Sequence, residues 1–193
     1  MHSALASGGE FELALSAEEL SDLVRDKMRH LEFDAAEAFA QLSDANKRTA
    51  MHLVKAAAIL DQVFLKQDHP SNVRAKEILT EAAATGDTTA QNALTIFTMH
   101  NGLSGIDMYD PRSGPLHLFK HHQLTPTGGV YPADLSKDEL VEYLITHPEQ
   151  ASAILSNNTI VRRDGDSLIA EPYSVAFRPE MQAAARQLLL AAK

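Results

Sequence analysis

The sequence predicts a mostly helical α+β fold, in which helices pack with one small antiparallel sheet whose hairpin lies near residues 159–171. Three observations predict it. Apolar residues recur at helical spacing behind conventional start signals over most of the chain. A single stretch around Asp164-Gly165-Asp166 switches to runs of Ile, Val and Leu flanking a turn. The composition is that of an ordinary globular protein, 45% apolar and 22% charged, with 8 prolines and 9 glycines in 193 residues.

Residues 1–15 read as a flexible or processed terminus, and 16–193 as one α-rich domain: helical over 16–100, a long connection over 101–134, and α/β over 135–193. Ser16 and Glu19 make a capping box ahead of a helix in which Leu20, Leu23, Val24 and Leu31 recur at helical spacing. Ser43 caps the next helix, whose Met51, Val54, Ala58 and Phe64 can share one face. Two further helices end at Gly86 and near Gly102, each glycine suited to the left-handed position past a helix end.

Between residues 101 and 134 the repeated glycines and prolines interrupt any sustained helix. Long connections of this kind are uncommon unless they carry contacts or function. Ser136 and Glu139 then form a second capping box, and a short helix follows Pro148. The segments TIVRR and SLIAE flank the turn at Asp164-Gly165-Asp166, where Gly165 supplies a positive φ. The last helix opens on Arg178-Pro179 and carries no residue that would end it, a finish expected of a fragment as much as of a whole chain.

Charge and composition exclude several classes. A formal net charge of −9 opposes phosphate binding, so nucleic acid is not expected as a partner. Without cysteine there is no disulfide, thiolate nucleophile or thiolate metal ligand. No run of about 18 apolar residues marks a membrane span. The compartment stays open between cytoplasm and a processed exported form.

Candidate chemistry gathers in the middle of the chain. His117, His121 and His122 lie in GPLHLFKHHQL; on a short helix the first two would share a face and could hold a metal. Leu118 follows His117 where a metallopeptidase helix needs glutamate, and no carboxylate lies between Pro115 and Gly129. The preferred reading is therefore that the three are packing and surface residues, with no metal in this chain. Asp107, Tyr109 and Asp110, in GIDMYDPRSGP, could coordinate a cation or bind a substrate amine, though Asx turns before proline are the preferred explanation. Tyr131, Glu171 and Tyr173 are further candidates for a cleft wall. Gln62, Gln67 and Asn72 are expected to fix helix ends.

Three ordered stretches carry more information than any single motif: AAAILDQVFLKQDHPSN (56–72), GGVYPADLSKDELVEYL (128–144) and NTIVRRDGDSLIAEPYSVAF (158–177). Taken together they resemble the amino-terminal part of the dipeptidyl-peptidase III family of zinc peptidases, and in particular the peptidase-like domain of plant Nudix hydrolases. The pattern rests on Tyr131, Pro132, Asp134, Ser136, Glu139, Asn158, Thr159, Pro172, Tyr173 and Ser174. The resemblance implies part of a two-lobed enzyme that removes dipeptides from the free amino end of peptides. In that family a helix bearing His-Glu and a second His holds zinc.

No His-Glu pair occurs in this chain, so the resemblance implies that zinc belongs to a part absent from it. The expected role is a non-catalytic lobe portion that shapes the peptide cleft and packs against the missing catalytic lobe, or against a second copy of itself. A stand-alone peptide-binding or regulatory module, which would take peptides at a sheet edge, is the first alternative. A small hydrolase centred on His117, His121 and a distant carboxylate is the second.

Overall fold

A computed structural model describes residues 5, 9–27, 34–106, 115–122 and 128–193. Their architecture is α+β and mostly helical, with two small antiparallel two-stranded sheets. The chain divides into two compact units, residues 1–31 with 68–125, and residues 32–67 with 126–193.

In the first unit, α1 (Ala17–Lys27) and α4 (Asn72–Ala84) both pack on α5 (Thr88–His100). The start of α1 is fixed as the capping box requires: Glu19 N–H donates to Ser16 Oγ at 3.2 Å, and Ser16 N–H donates back to the Glu19 carboxylate at 2.8 Å. Leu20 is fully buried, and Leu31 lies outside the described residues. Asp87 caps α5 by accepting from Thr89 and Ala90. At the other end of α5 the left-handed residue is Asn101, φ 51°, and not Gly102.

Gly102 is needed for space. A Cβ there would sit 2.7 Å from Asp68 Oδ2 and 3.2 Å from Asn72 Nδ2. Asn72 is itself fully buried; it donates to Asp68 at 2.8 Å and accepts from Leu103 N–H at 2.9 Å. A short-range signal, Gly after a helix, is thus answered by a long-range demand.

The region 101–134, expected as one long connection, contains a sheet. β1 (Ser104–Ile106) pairs with β2 (Pro115–His117), Ser104 opposite His117. Beyond β2 the chain pairs again, Phe119 opposite Leu13, through Ala14 N–H to Leu118 O at 2.9 Å and Lys120 N–H to Glu12 O at 3.0 Å. Residues 9–14 are therefore a strap laid on 118–122, with Phe11 only 3% exposed, where the sequence suggested a flexible terminus.

The second unit contains α2 (Ala36–Ala40), most of α3 (Asp44–Asp68), α6 (Lys137–Thr146), α7 (Ala151–Ile154), β3 (Thr159–Asp164), β4 (Ser167–Pro172), α8 (Tyr173–Ala176) and α9 (Arg178–Ala191). A 3-10 turn at Pro148–Gln150 leads into α7. Ser136 caps α6 by accepting from Glu139 N–H at 3.1 Å. The β3–β4 turn is the expected one: Asp164 pairs with Ser167, and Gly165 has φ +58°. Positive φ at the first central residue alone is the type II′ pattern, which matches strand twist.

Alternation along this hairpin feeds two clusters. Val161, Leu168 and Ala170 face one way and pack with Leu135, Ile154, Tyr131 and Tyr143. Ile160 faces the other way and packs with Val63 of α3, Phe177 and Tyr173. α9 is tied to α3 by Thr49 Oγ1 to Ala191 O at 3.2 Å, His52 to Gln187 at 2.8 Å, and the Lys66–Glu180 ion pair.

The face expected to bury α3 is not the buried one. Ala56, Val63 and Leu65 are buried, whereas Met51, Val54 and Phe64 are 49%, 64% and 46% exposed, and Ala58 is exposed too. α3 carries apolar side chains on more than one face, and its tie to α9 selects only one of them.

Candidate functional site

The three histidines do not converge. No helix forms at 115–122, because the segment is drawn into β pairing with 104–106 and with Leu13, and the Phe119–His122 pairing turns the chain at Lys120 and His121, so the helical face that His117 and His121 would share is not formed. His117 Nδ1 lies 2.8 Å from Ser104 Oγ, across the β1–β2 pair. His121 is exposed. His122 stacks on Phe11, ring centroids 4.7 Å apart and planes at 21°. Among the described residues no group of three or more His, Asp or Glu is placed to hold a metal ion.

Asp107, Tyr109 and Asp110 lie outside the described residues. The other three candidates belong to the second unit, each with an internal partner. Tyr131 donates its hydroxyl to Ile154 O at 3.0 Å. Glu171 pairs with Arg162 at 2.9 Å. Tyr173 packs edge-on to Phe177 at 5.5 Å, and its N–H donates to Asn158 O at 2.9 Å, closing the open end of the hairpin.

One feature around these residues is available to an external group, and it is backbone. In a two-residue hairpin the closing pair, here Asp164 and Ser167, exchanges both ladder bonds, and the pattern then alternates. Residues 160, 162 and 164 of β3 therefore bond to 167, 169 and 171 of β4, while Val161 on one strand and Leu168 and Ala170 on the other turn their N–H and C=O outward. The β3 edge is capped: Val161 N–H donates to Val130 O at 2.8 Å. On the β4 edge Leu168 O receives only a long bond from Tyr143 Oη, 3.4 Å, and Ala170 has no hydrogen-bond partner among the described residues.

The hairpin beside this edge is braced from its turn end. Arg163 forks onto Glu139 at 2.7 and 3.2 Å, and its Nε lies 3.0 Å from Asp134. The Arg163 guanidinium holds the Glu139 carboxyl below the usual carboxylate range. The sequence announces the hairpin; it does not announce which edge stays open, since that depends on Val130, thirty-one positions from Val161.

Comparison with solved structures gives this geometry a family context. The chain is similar to dipeptidyl-peptidase III from Caldithrix abyssi, with 28% identity and a TM-score of 0.69 over 83% of its length. It is similar also to dipeptidyl-peptidase III from Corallococcus sp. strain EGB, with 25% identity and a TM-score of 0.71 over 91%. The fold is DPP III-like. It is so only in part, because the chain spans 28% and 31% of those two structures. No family model matches the sequence, and no curated protein does.

Within the second unit the three candidates lie on or beside the β3–β4 hairpin. Tyr131 and Tyr173 serve the two apolar clusters on opposite faces of β3–β4, and Glu171 braces the outer strand. None of the described helices is long and apolar enough to cross a membrane.

Proposed function

We propose that this chain is the non-catalytic, amino-terminal lobe portion of a dipeptidyl-peptidase III-like zinc peptidase, where it forms one wall of the peptide cleft. The observation that carries the reading is the unequal coverage: nearly all of this chain matches less than a third of each DPP III structure. Zinc and the water-activating glutamate then belong to polypeptide outside this chain, in keeping with the lack of any His-Glu pair in it. The exposed apolar side chains of α3, among them Leu53, Val54, Leu60 and Phe64, suit burial by that further polypeptide.

The peptide would enter as an extra strand on β4, bonded to the outward groups of Ala170, with Leu168 completing the site where Tyr143 gives way. Ala170→Pro tests this, because it removes the outward N–H and no ladder bond. Titration of the protein with an unblocked tetrapeptide, followed by amide NMR, should shift Leu168 and Ala170 first. The variant should bind at least about tenfold more weakly, a change of about 1.4 kcal/mol. Equal binding by a folded variant, or shifts clustered away from β4, would reject the site.

A further inference from the structure

We propose that His69 and His122 form a proton-operated latch, which holds the strap of residues 9–14 on 118–122 at neutral pH and releases it in acid. The idea is independent of the peptidase reading, since all the groups involved lie in the first unit.

Start from His69. It is 6% exposed, and its Nδ1 accepts the N–H of Ser71 at 3.0 Å, where Ser71 stands just ahead of α4 and makes no side-chain capping bond. An imidazole that accepts at Nδ1 is neutral with its proton on Nε2. A second proton could go only to Nδ1, turning a 3.0 Å hydrogen bond into two opposed N–H groups. The positive end of the α4 dipole opposes a cation at this place as well.

The second imidazole is close. The His122 ring lies edge-on to His69, centroids 5.9 Å apart, and its Nε2 is buried with no hydrogen-bond partner. A charged His69 would place a cation against the His122 ring, whose other neighbours are the apolar rings of Phe11 and Phe119. Burial lowers the pKa of His69, His122 adds to the effect, and Asp68 opposes it.

The charged groups facing the pair are few. Asp68, one residue before His69, is engaged by Asn72 Nδ2 at 2.8 Å. Glu10 Oε1 is 4.0 Å from His122 Nε2, beyond a hydrogen bond though within ion-pair range of that ring. Glu12 is paired with Lys120 on the same strap. None stands where it would neutralise a cationic His69 without breaking an existing bond.

The strap feels this through ring contacts. Phe11 is stacked on His122 and edge-on to Phe119, at 4.7 and 5.4 Å. Movement of His122 away from a charged His69 removes the surface on which Phe11 rests. Because the folded pKa of His69 is depressed, strap stability is fully present above the ordinary value of 6.5 and is lost as pH falls from there through the folded value.

The test is amide exchange, corrected for intrinsic rates, at Ala14 and Lys120, whose N–H groups bond Leu118 O and Glu12 O. Between pH 7.5 and pH 5 their opening constants should rise about tenfold or more. Amides inside α5 should stay within about twofold over the same range. His69→Asn keeps an acceptor for Ser71 without a titrating ring and should flatten the response. His122→Phe keeps the stack on Phe11 and removes the neighbouring imidazole, so it should weaken the response while leaving the part that comes from burial of His69. A flat wild-type profile, an unaltered response in whichever variant folds, or opening of α5 together with the strap would overturn the proposal.

Discussion

Phe119→Ala should be the most damaging single truncation in the first unit, lowering stability by about 4 kcal/mol, within the range for phenylalanine truncation in a packed core. Phe119 is fully buried and touches Phe11 edge-on at 5.4 Å. Its backbone is opposite both Leu13 and His122, so the cavity opens where the 9–14 strap meets the 119–122 turn. Little nearby can collapse into it, because each neighbour is held by its own pairing. Urea unfolding followed by far-UV circular dichroism and by amide protection at Ala14 and Lys120 reads the effect. Phe119→Leu, which keeps most of the volume, should cost about 1.5 kcal/mol or less. A loss below about 1 kcal/mol for the alanine variant would mean that the strap and its aromatic surround contribute little to the unit.

Gly129→Ala should lower stability by about 2–3 kcal/mol, by overpacking. Gly129 N–H donates to Gln67 O at 2.6 Å, so the two backbones lie against each other at the end of α3. A Cβ on Gly129 would sit 2.5 Å from Lys66 O and 2.8 Å from Gln67 O, and neither carbonyl belongs to a movable side chain. Gly86→Ala is the matched control. Gly86 has φ +87° and nothing within 4 Å of its added Cβ, so only backbone strain applies, about 1–2 kcal/mol. Chemical denaturation of both variants, compared at the same temperature, separates the two. Gly129 has no such strained φ, so a loss below about 0.5 kcal/mol for its alanine variant would show that the contact with α3 relaxes at no cost.

These variants also mark what a sequence can reveal. The starts of α1 and α6 are legible because Ser16 and Glu19, or Ser136 and Glu139, satisfy one another across three residues. The β3–β4 turn is legible for the same reason: Gly165 and its neighbours settle it locally. β1 and β2 escape notice since each is only three residues long, too short for a two-residue alternation to show. GPLHLFKHHQL reads as a short helix only while its partners are unknown. Once residues 11–14 and 104–106 bond to it, strand geometry prevails and His117 and His122 part company.

The α3 helix shows a different limit. Its apolar residues lie on more than one face, and the periodicity of one chain cannot say which face meets which neighbour. Val63 is buried against Ile160 and Phe177, while Leu53, Leu60 and Phe64 stay 48%, 40% and 46% exposed. For the candidate site, the sequence points to the side chains of Tyr131, Glu171 and Tyr173, yet the open element beside them is the backbone of β4. Side-chain identity carries no signal for that; the strand register does.

Zinc content and dipeptide release, measured together on tag-free protein, test the central claim most directly. The wild type and a His117→Ala, His121→Ala double variant would be titrated with zinc and assayed on an unblocked tetrapeptide. The account predicts no stoichiometric zinc in either protein and no dipeptide release from either. One zinc per wild-type chain, lost in the double variant and accompanied by dipeptide release, would contradict it and place a hydrolytic centre within this chain.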